Sequence, residues 1–161
     1  MADIIDEIIL RETGGRPNGG YTNDPKDRGG RTQWGIAEKF NPEAWKDNKV
    51  DYQEARNIYM KKYLSPFKGL ENHVMYPQLV DFGVTSGPMM AIMKLQEIVG
   101  ADMDGIIGPQ TLGMVENFDQ IWLNNQIVVS RIKMIGRICS KDLSQVKYLN
   151  GWLNRNFEFL I

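Results

Sequence analysis

The sequence contains one cysteine, Cys139, and one histidine, His73. A lone thiol cannot close a disulfide within the chain, and a lone imidazole cannot build a histidine metal cluster. Cys139 falls among Ile132, Ile135 and Ile138 and reads as a small core residue. Neither sign of charge dominates: 19 Lys and Arg stand against 20 Asp and Glu, for a net charge of −1. Nucleic acid needs a dominant basic surface, so it is not the expected partner. No apolar run approaches the ~20 residues that span a bilayer, and no basic amphipathic tail is present to open one. Asp3, Asp6 and Glu7 stand where a signal peptide would carry positive charge. These absences predict a protein made in the cytoplasm, with no signal peptide, membrane insertion, metal or organic cofactor; a monomer is expected. No internal repeat, low-complexity tract or linker interrupts the chain. At 161 residues and 42% hydrophobic, it is expected to form one compact domain, 1–161, with a substantial core.

The densest chemistry lies between Ile4 and Ile36. Ile5, Ile8 and Ile9 precede Glu12 by seven, four and three residues, so at helical spacing Glu12 continues an apolar stripe. Acids in the first turn suit the helix dipole, and Gly14-Gly15 supplies the left-handed stop just past the last turn. A carboxyl beside apolar surface at the negative end of a helix favours its protonated form, as a general acid for glycoside cleavage requires. The plainer reading is a boundary residue turned outward at a frayed helix end.

Seven of the sixteen glycines lie from Gly14 to Gly35. Gly19-Gly20 and Gly29-Gly30 mark turns around short strands at Tyr21–Asn23 and Arg31–Trp34, predicting a small β-wing. The wing carries Asp24, Asp27, Thr22 and Thr32, although Asn23-Asp24-Pro25 also reads as simple turn chemistry. From Arg11 to Thr32, five cations (Arg11, Arg16, Lys26, Arg28, Arg31) face three acids. Such a surface steers an anionic polymer, or is merely solvated loop charge.

The text Glu12, Gly19-Gly20-Tyr21, Asn23-Asp24-Pro25, Asp27-x-Gly29-Gly30, Thr32 and Gly35-Ile36 resembles glycoside hydrolase family 108. These are the phage endolysin and secretion-activator muramidases of the lysozyme superfamily. Their motif runs Glu-Gly-Gly-Tyr, Asn-Asp-Pro, Asp-x-Gly-Gly, Thr, Gly-Ile. Here Thr13 follows Glu12, and about six extra residues separate Glu12 from Tyr21. The resemblance implies a mainly α, lysozyme-like fold with a small β-wing following the first helix. It also implies a catalytic Glu12, with Asp27 and Thr32 as supporting acid and hydroxyl. Tyr21, Asp24 and Trp34 are then candidate substrate contacts, the two rings offering flat faces to sugars.

After the wing, 37–45 is expected to hold a short helix and connector. Asp51 and Glu54 have capping-box spacing, opening a helix that runs to Leu64 before Ser65-Pro66 stops it. Its Lys61 and Lys62 read as a wet face. A short apolar helix follows Pro77. Pro88 suits the first position of the next, which is apolar nearly all round to a stop at Gly100 and is predicted to be the buried central helix. Its methionines read as core gap-fillers rather than a cofactor box. Asp104-Gly-Ile-Ile-Gly108-Pro-Gln-Thr111, with Lys94-Leu95-Gln96, resembles the repeat of peptidoglycan-binding modules. Physically it is first a folding device, in which two glycines shape a turn and Pro109 opens a helix. Residues 118–138 predict one long helix with Ile121, Val128, Ile132 and Ile135 as its apolar stripe. Gln120 and 124–126 line a cleft or face water. Residues 148–155 resemble the family's C-terminal end, with Trp152 and Phe157 docking a last helix. The resemblance thus divides the chain into a catalytic half, 1–86, and a helical half, 87–161, that resembles a peptidoglycan-binding module.

The expected function is that of an endolysin. It would cleave the β-1,4 bond between N-acetylmuramic acid and N-acetylglucosamine in bacterial peptidoglycan, with Glu12 as general acid. The rivals are a lytic transglycosylase, which uses no water, and a silent wall-binding module. Without an export signal, such an enzyme stays in the host cytoplasm until a holin or export partner releases it to the periplasm.

Overall fold

A computed structural model of the chain describes residues 3–24 and 29–161; Asp27, assigned above as a supporting acid, lies outside them. The chain divides into two compact units, the first ending at Leu64 and the second running from Ser65 to Ile161. The boundary expected at 86–87 therefore falls inside the second unit.

In the first unit, helix α1 spans Ile4–Thr13. The Asp3 carboxylate caps it by accepting from the Ile5 N–H at 3.0 Å, and Gly14 ends it at φ 60°. Ile5, Ile8, Ile9 and Thr13 form its buried face. The longer loop after α1 folds into a 3-10 turn at Pro17–Gly20, with Asn18 and Gly19 in left-handed conformations. The wing follows as a hairpin of β1 (Thr32–Gln33) and β2 (Ile36–Ala37), in antiparallel register Thr32↔Ala37 and Gln33↔Ile36. Trp34 and Gly35 make its two-residue turn at φ 53° and 76°, the hand that matches strand twist. Thr22 adds one bridge on the other side of Thr32, so a small wing is present. Of the two strands expected, 21–23 is reduced to that bridge and 31–34 is shortened to β1; the partner strand β2 lies beyond them because Trp34 and Gly35 form the turn.

Two 3-10 turns, Glu38–Phe40 and Pro42–Trp45, lead to α2 (Tyr52–Tyr59). The predicted capping box is formed: Glu54 N–H donates to Asp51 Oδ1 at 2.8 Å, and Asp51 N–H donates to Glu54 Oε2 at 3.3 Å. The helix does not run unbroken to Leu64, because its last five residues widen into a π-helical turn, Met60–Leu64. Arg56 of α2 clamps α1 by binding Asp3 at 2.6 Å and also Asp6, to which the Tyr52 hydroxyl donates.

The second unit consists of α3 (Tyr76–Ser86), α4 (Pro88–Val99), α5 (Pro109–Val115), α6 (Gln120–Lys141) and α7 (Leu149–Phe157). Pro88 opens α4 and Gly100 ends it at φ 76°, as expected. The helix is not buried all round, however. Ala91, Ile92, Leu95, Gln96 and Val99 face the core, while Met89 and Met90 are exposed. On α6 the buried residues are Leu123, Asn124, Ile127, Val128, Arg131, Ile135 and Cys139, and Ile121 is exposed. The true stripe takes in Arg131 and Asn124 because each finds polar partners inside. The buried Asn124 side chain receives the Gln78 amide at 3.0 Å and donates to the Phe159 carbonyl at 2.7 Å. Trp152 is partly buried on α7, but Phe157 is exposed.

The 104–111 motif acts as the folding device anticipated. Gln96, buried on α4, donates to Asp104 Oδ1 (2.7 Å), the Ile106 carbonyl (3.0 Å) and Thr111 Oγ1 (3.1 Å). Its own oxygen receives the Gly105 N–H at 2.9 Å. One amide side chain thus pins a whole loop to the helix behind it.

Candidate active site

Glu12 sits in the last turn of α1, and it is exposed. Glu12 does not continue the buried stripe as expected: the wall that covers Ile5, Ile8 and Ile9 ends before it reaches position 12. There the core gives way to an open cleft of about 300 Å³, lined by Glu12, Arg11, Arg16, Thr22, Thr32 and glycines 14, 19, 20 and 35. Thr13, one position on, closes the buried stripe instead, its hydroxyl donating to the Ile9 carbonyl at 2.8 Å. The desolvation expected of Glu12 is therefore not built into the free chain.

The lengthened loop does not carry the wing away from Glu12. Its 3-10 turn folds back so that a Cβ at Gly20 would stand 3.4 Å from the Thr13 carbonyl. The Gly19 carbonyl then receives the Trp34 N–H at 2.7 Å, tying loop to hairpin. The extra residues thus close on themselves beside Thr13.

The period of the wing decides which side chains reach the cleft. Neighbouring residues of a strand face opposite ways. Thr22 and Thr32 exchange both backbone hydrogen bonds, at 2.9 and 3.0 Å, and both line the cleft with Glu12. Tyr21 turns the other way, its ring 6.4 Å from Trp45, and Asp24 is exposed outside the cleft lining. Trp34 would share a face with Thr32, but the turn intervenes. Its ring lies under Gly19, where a Cβ would stand 2.3 Å from it, and its Nε1–H donates to the Val50 carbonyl at 3.1 Å. Together with Tyr52, edge-on at 4.9 Å, Trp34 borders a neighbouring hollow of about 470 Å³ that shares Thr13 and Arg16 with the cleft. Of the six residues singled out by sequence, the structure brings Glu12 and Thr32 to one cleft and Tyr21, Asp24 and Trp34 elsewhere.

Two contributors were not singled out. Thr22 was noted only as a wing residue, although its pairing opposite Thr32 puts it in the same wall. Tyr59 is buried on α2, and its hydroxyl abuts Gly35: a Cβ there would stand 2.3 Å from Tyr59 Oη and 3.5 Å from Glu12 Cβ. Gly35 is thus held to glycine by its left-handed φ and by a close approach from below. Arg11 and Arg16 line the cleft beside Glu12, and Arg31 pairs with Glu38 at 2.6 Å and stacks over Trp45 at 5.0 Å. That pairing holds the Glu38 carboxyl below its ordinary range.

Residues 9–87 match the family described as Glycosyl hydrolase 108, and residues 90–157 match a Predicted Peptidoglycan domain. No curated protein matches the chain. Among solved structures, one titled as that of Brucella abortus SagA is 28% identical and superposes with a TM-score of 0.68, covering 96% of this chain and 90% of its own. The fold is accordingly the lysozyme-like, mainly α one, with a small β-wing after the first helix. Two family regions cover almost the whole chain in the order that the Glu12 cleft and the Gln96-pinned loop lead one to expect, and the chain therefore belongs to glycoside hydrolase family 108, as a glycoside hydrolase acting on peptidoglycan.

Proposed function

We propose that the enzyme is a muramidase that hydrolyses the β-1,4 bond following N-acetylmuramic acid, with Glu12 as the general acid. The observation that carries this reading is one carboxylate at the end of α1, facing hydroxyls and glycines across an open cleft. A glycan laid in the cleft excludes water from Glu12, supplying on binding the apolar cover that the free chain lacks. Glu12 then protonates the glycosidic oxygen as the bond to the anomeric carbon breaks. The oxocarbenium-like centre takes a water molecule, whose proton passes to a base. Asp27 is assigned that base from its place in the family motif, and Thr32, with Thr22 opposite, orients the water. Arg11 and Arg16 draw in the anionic wall polymer.

The test is digestion of purified peptidoglycan followed by mass spectrometry of the products. Hydrolysis leaves a reducing muramic acid end. A product lighter by one water would mean an anhydro sugar and a transglycosylase, and no soluble product would mean a binding module. Asp27→Ala is expected to cost more turnover than Asp24→Ala, because Asp24 lies outside the cleft lining. The reverse order would show that the motif is misassigned on the wing. The endolysin role belongs to the same proposal. No helix among the described residues is long and apolar enough to cross a membrane, so access to the wall is assigned to a holin or export partner. Expression inside a Gram-negative cell should be tolerated until chloroform is added, and prompt lysis without chloroform would contradict that assignment.

A further inference from the structure

Between α4 and α6 the second unit has a groove of about 240 Å³ that the hydrolytic reading does not use. Lys94 and Glu97 of α4 line it, together with Gln126, Ser130, Lys133 and Arg137 of α6. On α6 these four follow one another at steps of four, three and four residues, so they form one polar stripe along the helix. Lys133 and Arg137 are both exposed, and they stand at the spacing where like charges on a helix repel. Lys94 adds a third cation from α4. Glu97 is the one carboxylate in the lining, and Lys94 Nζ already binds it at 2.5 Å. That hydrogen bond holds the Glu97 carboxyl below its ordinary range, and the charges of Lys94, Arg137 and Lys133 add to the effect. Three positive charges thus meet one negative charge, an excess of two. An anion entering the groove relieves the repulsion.

The size of that excess selects the ligand. A carboxylate brings a single negative charge and leaves one cation unmatched. A phosphate monoester carries about −1.5 to −2 at pH 7 and presents three strong acceptor oxygens around one atom. Such a group suits the planar fork of Arg137 and the compact charge of Lys133 together. Ser130 and Gln126, next along the stripe, offer neutral donors to whatever the phosphate is attached to. We propose that the groove between α4 and α6 binds a phosphate monoester, held by Lys133, Arg137 and Lys94 with Ser130 beside them. A soluble phosphate ester and the headgroup of a phosphomonoester lipid are two sources of that one chemistry. Either is a ligand other than the glycan cut at Glu12, and the inference does not rest on that reading.

The experiment is titration of the full chain in about 0.15 M salt, which screens loose surface attraction. Glycerol phosphate is the soluble probe, with dimethyl phosphate as the singly charged diester control. Phosphatidylcholine vesicles carrying phosphatidic acid are the membrane probe, with phosphatidylglycerol vesicles as their diester control. The monoester should bind at least about tenfold more tightly than its diester control, as expected for added charge-assisted hydrogen bonds. Lys133→Gln and Arg137→Gln should each weaken binding about fivefold or more. The double variant should show no binding, with a melting temperature equal to or above that of the parent because a like-charge pair is gone. Lys147→Gln, which removes an exposed cation outside the groove lining, should bind as the parent does. Binding of glycerol phosphate without the vesicles assigns the soluble source, and binding of phosphatidic acid vesicles assigns the lipid. No binding of either monoester, a diester bound as tightly, a double variant that binds normally, or a loss in Lys147→Gln as large as in Arg137→Gln would each overturn the proposal.

Discussion

At the scale of single residues, Glu12 is exposed at the end of α1 and its side chain takes no part in the buried face of that helix. Glu12→Gln should therefore leave the thermal midpoint unchanged while lowering wall lysis by roughly 10²–10⁴, the usual worth of a general acid. Turbidity clearing by the purified variant at near wild-type rate would remove Glu12 from the mechanism. Gly35 is the more constrained position. Gly35→Ala places a methyl 2.3 Å from Tyr59 Oη on a backbone at φ 76°, so it should destabilise the chain by about 1–3 kcal/mol and displace Glu12. Tyr59→Phe removes the oxygen in the way. The double variant should then be more stable than the sum of the two changes requires, and simple additivity in urea unfolding would show that the approach is not the cause. Sequence showed that a glycine stands there, but the tyrosine behind it comes from a helix 24 residues later.

At the scale of elements, both units are held by a few polar fasteners between helices and loops. Gln96 is the clearest, with four hydrogen bonds to the 104–111 loop. Gln96→Leu keeps the volume and loses every one of them, so it should cost roughly 2–4 kcal/mol in chemical denaturation. A loss under about 0.5 kcal/mol would mean that the loop is set by its glycines and Pro109 alone. The acids show a common direction. Asp3 is lowered by the Ile5 N–H and then by Arg56, Glu38 by Arg31, and Asp104 by Gln96 and then the Ile106 N–H. A carboxyl depressed on folding adds stability above its unfolded value, and that stability is lost as pH falls through the folded value. The ordinary values are 4.5 for glutamate and 3.8 for aspartate, so the melting temperature should begin to drop near pH 4.5 and fall further below pH 3.8. A melting temperature that is flat or rises from pH 5 to pH 3 would show that these pairings do not survive in solution.

At the scale of the whole molecule, family region and compact unit do not share a boundary. The first family match ends at residue 87, just after α3, yet α3 buries Leu79, Val80 and Phe82 within the second compact unit, in contact with α4 and α6. The last helix of the hydrolase region thus completes the core of the region that follows. A fragment ending near Ser86 would leave that apolar face bare, and one starting at Gly87 would lack Asp81, the carboxylate beneath Arg131 and Arg155. Neither should unfold cooperatively, whereas the full chain should. A soluble 1–86 fragment with a sharp melting transition would mean that α3 finds its cover within the first 86 residues.

Helix starts and stops were legible in the chain because they depend on spacing within a few residues: Gly14 after α1, the Asp51–Glu54 box, and Pro88 and Gly100 around α4. The motif around Glu12 named the chemistry for the same reason. What tertiary structure alone decided was where a covered face stops. Periodicity put Glu12 and Ile121 on apolar stripes, and both are exposed, while Arg131 and Asn124 broke the pattern and are buried. Burial depends on what lies opposite, and the partners come from distant chain: Asp81 for Arg131, Gln78 and Phe159 for Asn124. Trp34 is held outside the lining of the Glu12 cleft by the Val50 carbonyl and by the space under Gly19, neither of which any local spacing encodes.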